Sequence, residues 1–443
     1  MNKNPFLIFF MNKYKILRIN SVSSIANMYF EKFNLIDKNY SDQIKILIEE
    51  NFIHPASWSR IFESLNVTSF DIVPNFESLQ KKWMQTFYPK IKYNYINTVF
   101  KQIEHYKPDI IFIYAGAFIN SFPKFMREDL KIKFPFIKIV TGLWGDHLIG
   151  SNYKESFSDL DFVFTNCKLT KNKFENDGMK AFHLGNAFDP FVIENYQEYI
   201  NKQSNKKFDI IFSGDTGYGK FDHVERFFLL KNLMEKINLI IFANEVENKS
   251  SFYLDIKNLI RINLIRTLGK LPTNTILKIN SITDHYKFKR ILNEAILCKT
   301  DDTFLIDYFK NEKPLKNIYP SRVKNLAYSI KEYYDNVKSS KIVLNIHRED
   351  PADIGNIRVF EVTGLKSFLL TDKSRELSDY FIENEHFVGY KNKKDCIDKI
   401  KYFLKNKNER EEISKKASEY CLKNHTIKNR CEFIDEVLRK ELQ

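Results

Sequence analysis

Short apolar runs alternate with longer amphipathic segments along most of the chain, a pattern typical of a parallel α/β sheet. The predicted strands are Lys15–Ile19, Pro108–Tyr114, Phe136–Thr141, Asp161–Thr165, Ala181–Leu184, Phe208–Phe212, Asn238–Ala243, Lys341–Ile346, Ser367–Thr371 and His386–Tyr390. The predicted helices are Ile91–Tyr106, His223–Ile237, Ser329–Val337 and Ile357–Leu365, with further helices from Lys393 to about Lys440.

The strand–helix series is interrupted once, by a polar stretch over Glu194–Lys207. At 443 residues the chain exceeds the size of one compact core, so two α/β domains are expected. We place them at residues 11–195 and 208–415, with the polar stretch as linker. Residues 246–320 show no pattern that assigns them to particular elements.

The charge and the cysteine content of the chain restrict its expected partners and cellular location. The formal net charge is +13, but the basic residues are dispersed among acidic ones. A solvated, lysine-biased surface explains this best; contact with an anionic membrane surface is the next alternative, and nucleic acid the least favoured. Five widely spaced cysteines fit reduced thiols, and no apolar run approaches a membrane span. We therefore expect a cytoplasmic protein, with peripheral contact at the inner membrane face as an option.

The stretch after the predicted strand Lys341–Ile346 has the greatest density of candidate chemistry. The strand leads into His347, and a helix is predicted to begin after Asn356. Ligands of open parallel sheets bind beyond the carboxyl ends of strands, and a helix N-terminus favours a phosphate. Arg358 and Glu361 are three residues apart and share a helix face, where they suit a diphosphate and a ribose. A surface ion pair is the alternative explanation of this spacing.

The loop that follows Phe208–Phe212 resembles a phosphate cradle. It is rich in glycine, which lets backbone amides approach an anion. The loop and the helix after it supply the donor-site candidates Gly214, Asp215, Gly217, Lys220 and Arg226. No complete nucleotide-binding fingerprint is present, so an ordinary strand–helix turn remains the alternative.

The first half offers an acceptor loop, which follows the predicted strand Phe136–Thr141. Asp146 and His147 lie in it and are candidates to orient or deprotonate a hydroxyl, although a structural loop histidine is the alternative. Asp159 and Asp161 match an Asp-x-Asp metal motif in letters. They stand at the entrance of a strand rather than its exit, so we interpret them as structural and expect no metal.

Residues 319–437 resemble the C-terminal domain of the CgeB-like, spore-maturation-type glycosyltransferases, which are group 1 enzymes of GT-B fold. The matching positions are Ser340–His347, Asn356, Arg358, Phe360, Glu361, Thr363, Gly364, Leu369–Asp372, Phe381, Glu385, Tyr390, Ile397–Leu404, Glu409–Ile413, His425, Thr426 and Arg430. The first half resembles the family more loosely, through Lys107–Phe112, Asp161–Asn166 and Asn186–Pro190.

The resemblance implies two Rossmann-like domains that face each other across a cleft, with the donor in the C-terminal domain. It also implies that a C-terminal helix, residues 416–443, packs back on the N-terminal domain. By position, Glu361 is similar to the ribose-binding second Glu of the family's E-x7-E motif, and Glu349 to the first. Eleven residues (350 to 360) separate them here instead of seven.

We therefore expect a metal-independent, hexosyltransferase-like enzyme that moves a sugar from a nucleotide-sugar to a hydroxyl of a cell-surface glycan, lipid or protein. Arg358 is expected to stabilise the leaving diphosphate, and His347 and Asn356 to contact the donor. No cofactor or nucleic-acid partner is expected. Two alternatives stay open, a GT-B nucleotide-sugar epimerase and a non-catalytic carbohydrate- or nucleic-acid-binding protein.

Overall fold

A computed structural model describes most of the chain. The described residues are 13–145, 153–202, 205–218, 224–245, 264, 267–268, 270–282, 312–347, 356–373 and 375–443. They form two parallel six-stranded sheets, one in each half of the chain. The expected α/β class with two Rossmann-like domains is confirmed.

The first sheet contains strands β1 to β6 in the order β2-β1-β3-β4-β5-β6. Their bounds are Lys15–Ile19, Thr68–Ile72, Ile110–Tyr114, Ile139–Trp144, Val163–Thr165 and Ala181–His183. The central strands are buried because helices cover both faces, which explains their nearly unbroken apolar sequence. The sequence prediction missed β2 (Thr68–Ile72), in which only the last two residues are buried.

Helices α1 to α10 accompany the first sheet. Their bounds are Ser24–Lys32, Tyr40–Glu49, Trp58–Ser64, Glu77–Phe87, Tyr95–Tyr106, Ala117–Asn120, Leu130–Lys133, Tyr153–Phe157, Lys168–Asn176 and Tyr196–Asn201. α5 (Tyr95–Tyr106) begins four residues later than predicted, because the Asn94 side chain accepts a hydrogen bond from the Asn97 amide and caps the helix there. α10 (Tyr196–Asn201) lies within the stretch predicted as a linker.

The second sheet has the order β12-β11-β10-β7-β8-β9. β7 to β12 span Phe208–Ser213, Leu239–Phe242, Val323–Lys324, Ser340–Asn345, Leu369–Asp372 and Val388–Tyr390. α11 to α18 span Val224–Lys236, Thr273–Ile282, Leu315–Ile318, Ile330–Lys338, Ile357–Gly364, Lys393–Lys405, Lys407–Asn424 and Ile427–Glu441. Most strands predicted for this half match within two residues, since each is an apolar run covered on both faces.

In each sheet, the direction in which the chain adds successive strands reverses once. In the first sheet, β2 lies on one side of β1, and the next strand, β3, lies on the other side. In the second sheet, β8 and β9 extend from one side of β7, and β10 then lies on its other side. The carboxyl ends of the strands separate there and open a crevice where ligands of such sheets bind. We call these places the N-terminal switch point (β1/β3) and the C-terminal switch point (β7/β10).

The last helix, α18 (Ile427–Glu441), lies against the first sheet. Its residues Ile427, Cys431 and Ile434 share a buried apolar cluster with Trp58 and Phe112. Thr426 caps the helix in a reciprocal capping box with Asn429, and a parallel bridge joins Thr426 to Phe188. The C-terminus therefore connects the two halves of the molecule.

Candidate donor site and the family of the chain

The C-terminal switch point brings together three segments that are far apart in sequence. β7 ends at Ser213, β10 ends at Asn345, and α15 (Ile357–Gly364) begins beside them. β7 and β10 are direct neighbours in the sheet, so the loop after one strand faces the loop after the other. This is the region in which the sequence predicted the donor site.

Asn345 is the centre of this region. Its side chain is fully buried, and its Oδ1 accepts hydrogen bonds from Arg358 Nη1 and Asn356 Nδ2, both at 2.9 Å. Its own Nδ2 donates to Thr371 Oγ1 at 3.0 Å. Asn345 thus fixes the guanidinium of Arg358 with a neutral amide. The prediction singled out Arg358 and Asn356 but not this residue.

No carboxylate lies within 4 Å of the Arg358 guanidinium in the part of the chain that the structure describes. The guanidinium also lies 5.6 Å from the centroid of the Phe212 ring. The side chain is therefore held in place by an amide and an aromatic ring. Neither of these partners carries a negative charge, although the buried Glu361 carboxyl is close enough for Arg358 to lower its pKa.

Gly214 makes room for this arginine. It has φ of +143°, and a Cβ placed there would lie 2.8 Å from Arg358 Nη2. Its amide donates to the Phe242 carbonyl at 2.9 Å, and the amide of Gly217 donates to Asp215 Oδ1 at 2.8 Å. These amides already have protein acceptors. The glycine is required because the guanidinium packs against it, and the phosphate cradle stays a prediction.

Arg226, half-buried on α11 (Val224–Lys236), joins the two loops. Its Nη1 donates to the Asp215 carbonyl at 3.2 Å, and its Nη2 donates to the His347 carbonyl at 3.1 Å. These contacts fix the loop after β7 against the end of β10. Arg226 therefore shapes the candidate site through the backbone of its two neighbours.

His347 is paired with Asp372, a residue that the prediction did not assign to the site. His347 Nδ1 lies 2.6 Å from Asp372 Oδ1, and the His347 amide donates to both carboxylate oxygens at 3.0 and 2.9 Å. His347 is 6% exposed, and its Nε2 has no hydrogen-bond partner among the described residues. Asp372 fixes the ring, and the opposite nitrogen is left for a ligand.

Glu361 lies in the second turn of α15, buried beside Tyr333 of α14 (Ile330–Lys338). Burial raises the pKa of its carboxyl to about 7, although Arg358 and the Tyr333 hydroxyl each lower it. Burial dominates because removing a carboxylate from water costs more than these contacts return. The carboxyl is thus poised between its neutral and charged forms near neutral pH.

Several predicted residues are outside the described part of the chain. These are Asp146 and His147 of the acceptor loop, and Lys220 and Glu349 of the donor site. By contrast, Asp159 and Asp161 have defined partners. Asp159 forms an ion pair with the buried Arg127 at 2.9 Å, and Asp161 accepts from the Val140 amide at 2.7 Å. Both aspartates have structural roles.

The N-terminal switch point is filled by protein side chains. Arg18, fully buried, places its Nε 2.5 Å from Asp71 Oδ1 and donates to the Pro55 carbonyl at 3.1 Å. Its guanidinium also lies 4.9 Å from the centroid of the Trp58 ring. This arginine is neutralised by a carboxylate, unlike Arg358. The charge is therefore used for the stability of the domain.

The two halves also meet directly beside the candidate site. The Lys168 amide at the start of α9 (Lys168–Asn176) donates to Glu376 Oε1 at 3.0 Å. Tyr380 Oη lies 3.1 Å from His183 Nε2. These contacts join the end of the first sheet to the segment after β11. Both contacts therefore cross between the two domains.

Comparison with known proteins agrees with this architecture. Residues 317–436 match the family model described as glycosyl transferase-like, a segment that includes Asn345, Arg358 and Glu361. No curated protein matches the chain. Within the described residues, no helix is long and apolar enough to cross a membrane.

Three solved structures are similar over nearly the whole chain. An α-glucosyltransferase in complex with UDP and mismatched DNA has a TM-score of 0.51 at 9% identity, covering 97% of this chain and 99% of that one. A glycosyltransferase from Rickettsia africae ESF-5 has a TM-score of 0.48 at 12% identity, covering 98% and 99%. Anabaena HepE, crystallised with UDP and glucose, has a TM-score of 0.46 at 10% identity, covering 96% and 99%.

At these identities the first similarity supports the fold, and the family match supports the class of the C-terminal domain. The expectation of a glycosyltransferase enzyme is confirmed at this level. The chain has the GT-B fold, and its residues 317–436 match the glycosyl transferase-like family model.

Proposed function

We propose that this protein transfers a sugar from a nucleotide-sugar bound at the C-terminal switch point to a hydroxyl acceptor in the cleft, without a metal ion. The observation that carries the proposal is the state of Arg358, which is fixed by the neutral Asn345 and has no carboxylate within 4 Å among the described residues. A held but unneutralised guanidinium suits a diphosphate. Two similar structures contain UDP, and one of these also contains glucose.

In this proposal the diphosphate lies between Arg358 and His347. The N-terminus of α15 adds to the attraction for an anion, although the Val359 amide in its first turn already donates to the Asn356 carbonyl at 3.1 Å. His347 Nε2 is buried, unpartnered among the described residues, and opposite the nitrogen that Asp372 holds. A phosphate group that forms a hydrogen bond with Nε2 would satisfy it.

Glu361 is proposed to accept the ribose hydroxyls. It shares a helix face with Arg358, and its carboxyl pKa of about 7 leaves it ready to lose its proton when donors approach. Two vicinal hydroxyls that donate to the carboxylate favour its charged form. Nucleotide-sugar affinity should therefore rise as pH increases through 7. A Glu361→Gln variant should lack that dependence.

Transfer requires one bond to break and one to form. The bond between the anomeric carbon and the diphosphate oxygen breaks, and negative charge develops on that oxygen beside Arg358. The acceptor hydroxyl oxygen attacks the anomeric carbon and gives its proton to a base, for which Asp146 and His147 remain the proposed candidates. Arg358 acts most strongly as the charge develops, so it lowers the barrier rather than only binding the donor.

A screen of nucleotide-sugars by thermal shift tests the proposal. A ligand that binds only the folded protein raises its melting temperature, by an amount that grows with concentration above Kd. We expect one nucleotide-sugar class to stabilise the wild type, with a smaller shift for Arg358→Ala. Arg60→Ala, a change of an exposed arginine on α3 (Trp58–Ser64), is the matched control. The proposal is wrong if no nucleotide-sugar stabilises the wild type.

The metal-free mechanism has its own test. Turnover should persist in excess EDTA, since the proposed leaving-group charge is met by Arg358 and the helix N-terminus. Loss of turnover on chelation, with recovery on adding Mn²⁺ or Mg²⁺, would contradict the mechanism without affecting the donor assignment.

Three finer assignments complete the proposal. The protein belongs to the CgeB-like subtype, as the matching residues of the C-terminal domain suggest. Its acceptor is a hydroxyl of a cell-surface glycan, lipid or protein. It works in the cytoplasm, with peripheral contact at the inner face of a membrane.

A further inference from the structure

Residues 78–103 contain no Asp or Glu, although they include the lysines 81, 82, 90, 92 and 101. The segment covers most of α4 (Glu77–Phe87), the connecting loop and most of α5 (Tyr95–Tyr106). Residues 1–30 and 256–283 also lack Asp and Glu, but 78–103 is the one of these three segments that lies wholly within the described part of the chain. It lies on the N-terminal domain, away from the proposed donor site.

Ring contacts show how the segment is arranged. The Phe87 ring at the end of α4 is 4.7 Å from the His105 ring near the end of α5, and Lys101 Nζ is 5.5 Å from the centroid of the Tyr88 ring. Farther along the loop, Lys81 Nζ is 5.8 Å from the Tyr93 ring. The loop therefore runs back along both helices. We call the surface formed by residues 82–97 the α4–α5 strip.

The strip exposes one apolar side chain at the end of α4, one in the loop and one at the start of α5. Phe87 is 41% exposed, Ile91 39% and Ile96 40%. Single exposed apolar residues are common on protein surfaces, but three in one acid-free strip form a pattern. Ile91 is flanked in the sequence by Lys90 and Lys92.

Three lysines of the strip are free of ion pairs. Lys81 and Lys101 pair with the flanking Glu77 and Glu104 at 2.6 and 2.7 Å. In contrast, lysines 82, 90 and 92 have no carboxylate within 4 Å in the described part of the chain. Their charges are directed to solvent or to a partner. The strip thus combines three exposed apolar side chains with three uncompensated positive charges.

We propose that the α4–α5 strip is the surface by which the protein binds an anionic lipid bilayer. Lysines at such a surface are attracted to acidic headgroups, while apolar side chains enter the boundary between headgroups and acyl chains. A nucleic acid fits less well, because bases stack on free aromatic faces. Here the rings of Tyr88 and Tyr93 are each approached by a lysine ammonium.

The position of the strip also suits a lipid-linked acceptor, an extension that rests on the proposed function. Tyr95 Oη, at the start of α5, donates to the Ser121 carbonyl at 2.6 Å. Ser121 directly follows α6 (Ala117–Asn120), the helix after β3, so this end of the strip lies toward the carboxyl ends of the first sheet. A bilayer on the strip would lie beside the side of the domain that opens to the cleft.

Co-sedimentation with vesicles tests the surface. Full-length protein should bind phosphatidylglycerol-containing vesicles, should not bind pure phosphatidylcholine, and should be released by high salt. The variant Lys82→Gln/Lys90→Gln/Lys92→Gln should bind the anionic vesicles about 100-fold more weakly, at about fivefold for each lysine near the surface. Ile91→Ser should weaken the binding that remains at high salt.

The matched control removes three lysines of α17 (Lys407–Asn424), Lys407, Lys415 and Lys416, each of which has a glutamate partner one turn away. Its vesicle affinity should stay within about threefold of the wild type, since it loses the same net charge elsewhere. Equal losses in both triple variants, or no binding of the wild type to anionic vesicles, overturns the proposal. Thermal stabilisation by a nucleotide-sugar, measured on the same variants, reports the donor site separately and should be unchanged.

Discussion

The two switch points of this protein have the same strand geometry and opposite electrostatics. At the N-terminal one, Arg18 is fully buried and neutralised by Asp71 at 2.5 Å. At the C-terminal one, Arg358 is held by the amide of Asn345 at 2.9 Å. A carboxylate partner uses the charge of an arginine for folding, whereas an amide partner positions it and leaves the charge for a ligand. This difference is the reason why we place the proposed anion site at the C-terminal switch point.

Breaking the Arg18–Asp71 pair should have the largest effect on stability. Arg18→Met leaves Asp71 buried and uncompensated, which should cost about 3–5 kcal/mol in the N-terminal domain. Arg358→Met should cost less than Arg18→Met, since Arg358 forms no ion pair among the described residues and the nearby Glu361, whose pKa it lowers, can take up a proton. Differential scanning calorimetry of both variants checks this contrast. Equal destabilisation would show that both arginines are structural.

Activity should show the reverse contrast. If Arg358 stabilises the leaving diphosphate, Arg358→Ala should lower kcat on the order of 10²–10³-fold, with a smaller change in donor affinity. Arg358→Lys should restore activity only in part, because lysine lacks the planar pair of donors. Steady-state kinetics, with folding checked by circular dichroism, measures both. Normal turnover of Arg358→Ala would mean that the donor site is misplaced.

The raised pKa of the Glu361 carboxyl should make the stability of the protein depend on pH. Its carboxyl pKa is raised from 4.5 to about 7, so the folded protein binds its proton more tightly than the unfolded chain does. Stability is therefore lost as pH rises from 4.5 to 7, by roughly 3 kcal/mol at about 1.4 kcal/mol per pKa unit. Glu361→Gln should be more stable than wild type at pH 8 and similar at pH 4.5.

Thermal unfolding of Glu361→Gln at both pH values tests this expectation, with the exposed Glu419→Gln as a control that shows no such dependence. A Glu361→Gln variant less stable than wild type at pH 8 would contradict the assigned cause. The same variant should bind the nucleotide-sugar more weakly while remaining folded, because the amide accepts ribose hydroxyls less strongly than a carboxylate does.

The His347–Asp372 pair should give the smallest effect. Asp372→Asn keeps an oxygen that accepts from the His347 ring and amide, but loses the negative charge that strengthens these hydrogen bonds. We expect donor affinity to fall by about five- to tenfold, with kcat little changed. Calorimetric titration of the nucleotide-sugar measures this. An unchanged affinity would place Nε2 of His347 outside the donor site.

The sequence predicted the fold well because its signals are local. Apolar runs such as Ile110–Tyr114 are buried on both faces of a sheet, and their composition alone indicates this. β2 (Thr68–Ile72) was missed because only its last two residues are buried. The acid-free segment 78–103 was overlooked for a related reason. Its lysines are spaced along two helices and a loop, and only the fold gathers them on one surface.

The site was predictable only in part, since its roles depend on long-range contacts. The position of Arg358 and Glu361 on one helix face followed from their spacing. The function of Gly214 did not, because the group that requires a glycine there is the guanidinium of Arg358, which comes from another strand–helix unit. Asn345 and Asp372 were missed for the same reason. Asn345 holds Arg358 and Asp372 holds His347, and the sequence had indicated only the residues that are held.

Asn345→Asp tests the central claim most directly, because it gives Arg358 the carboxylate partner that Arg18 already has. The new side chain has nearly the same shape and can still accept from Arg358 Nη1 and Asn356 Nδ2. If an unneutralised Arg358 carries the function, kcat/KM should fall about 100-fold or more in a variant that still folds, although the loss of the Nδ2 hydrogen bond to Thr371 Oγ1 lowers its melting temperature. Wild-type kcat/KM in a folded Asn345→Asp variant would contradict the account.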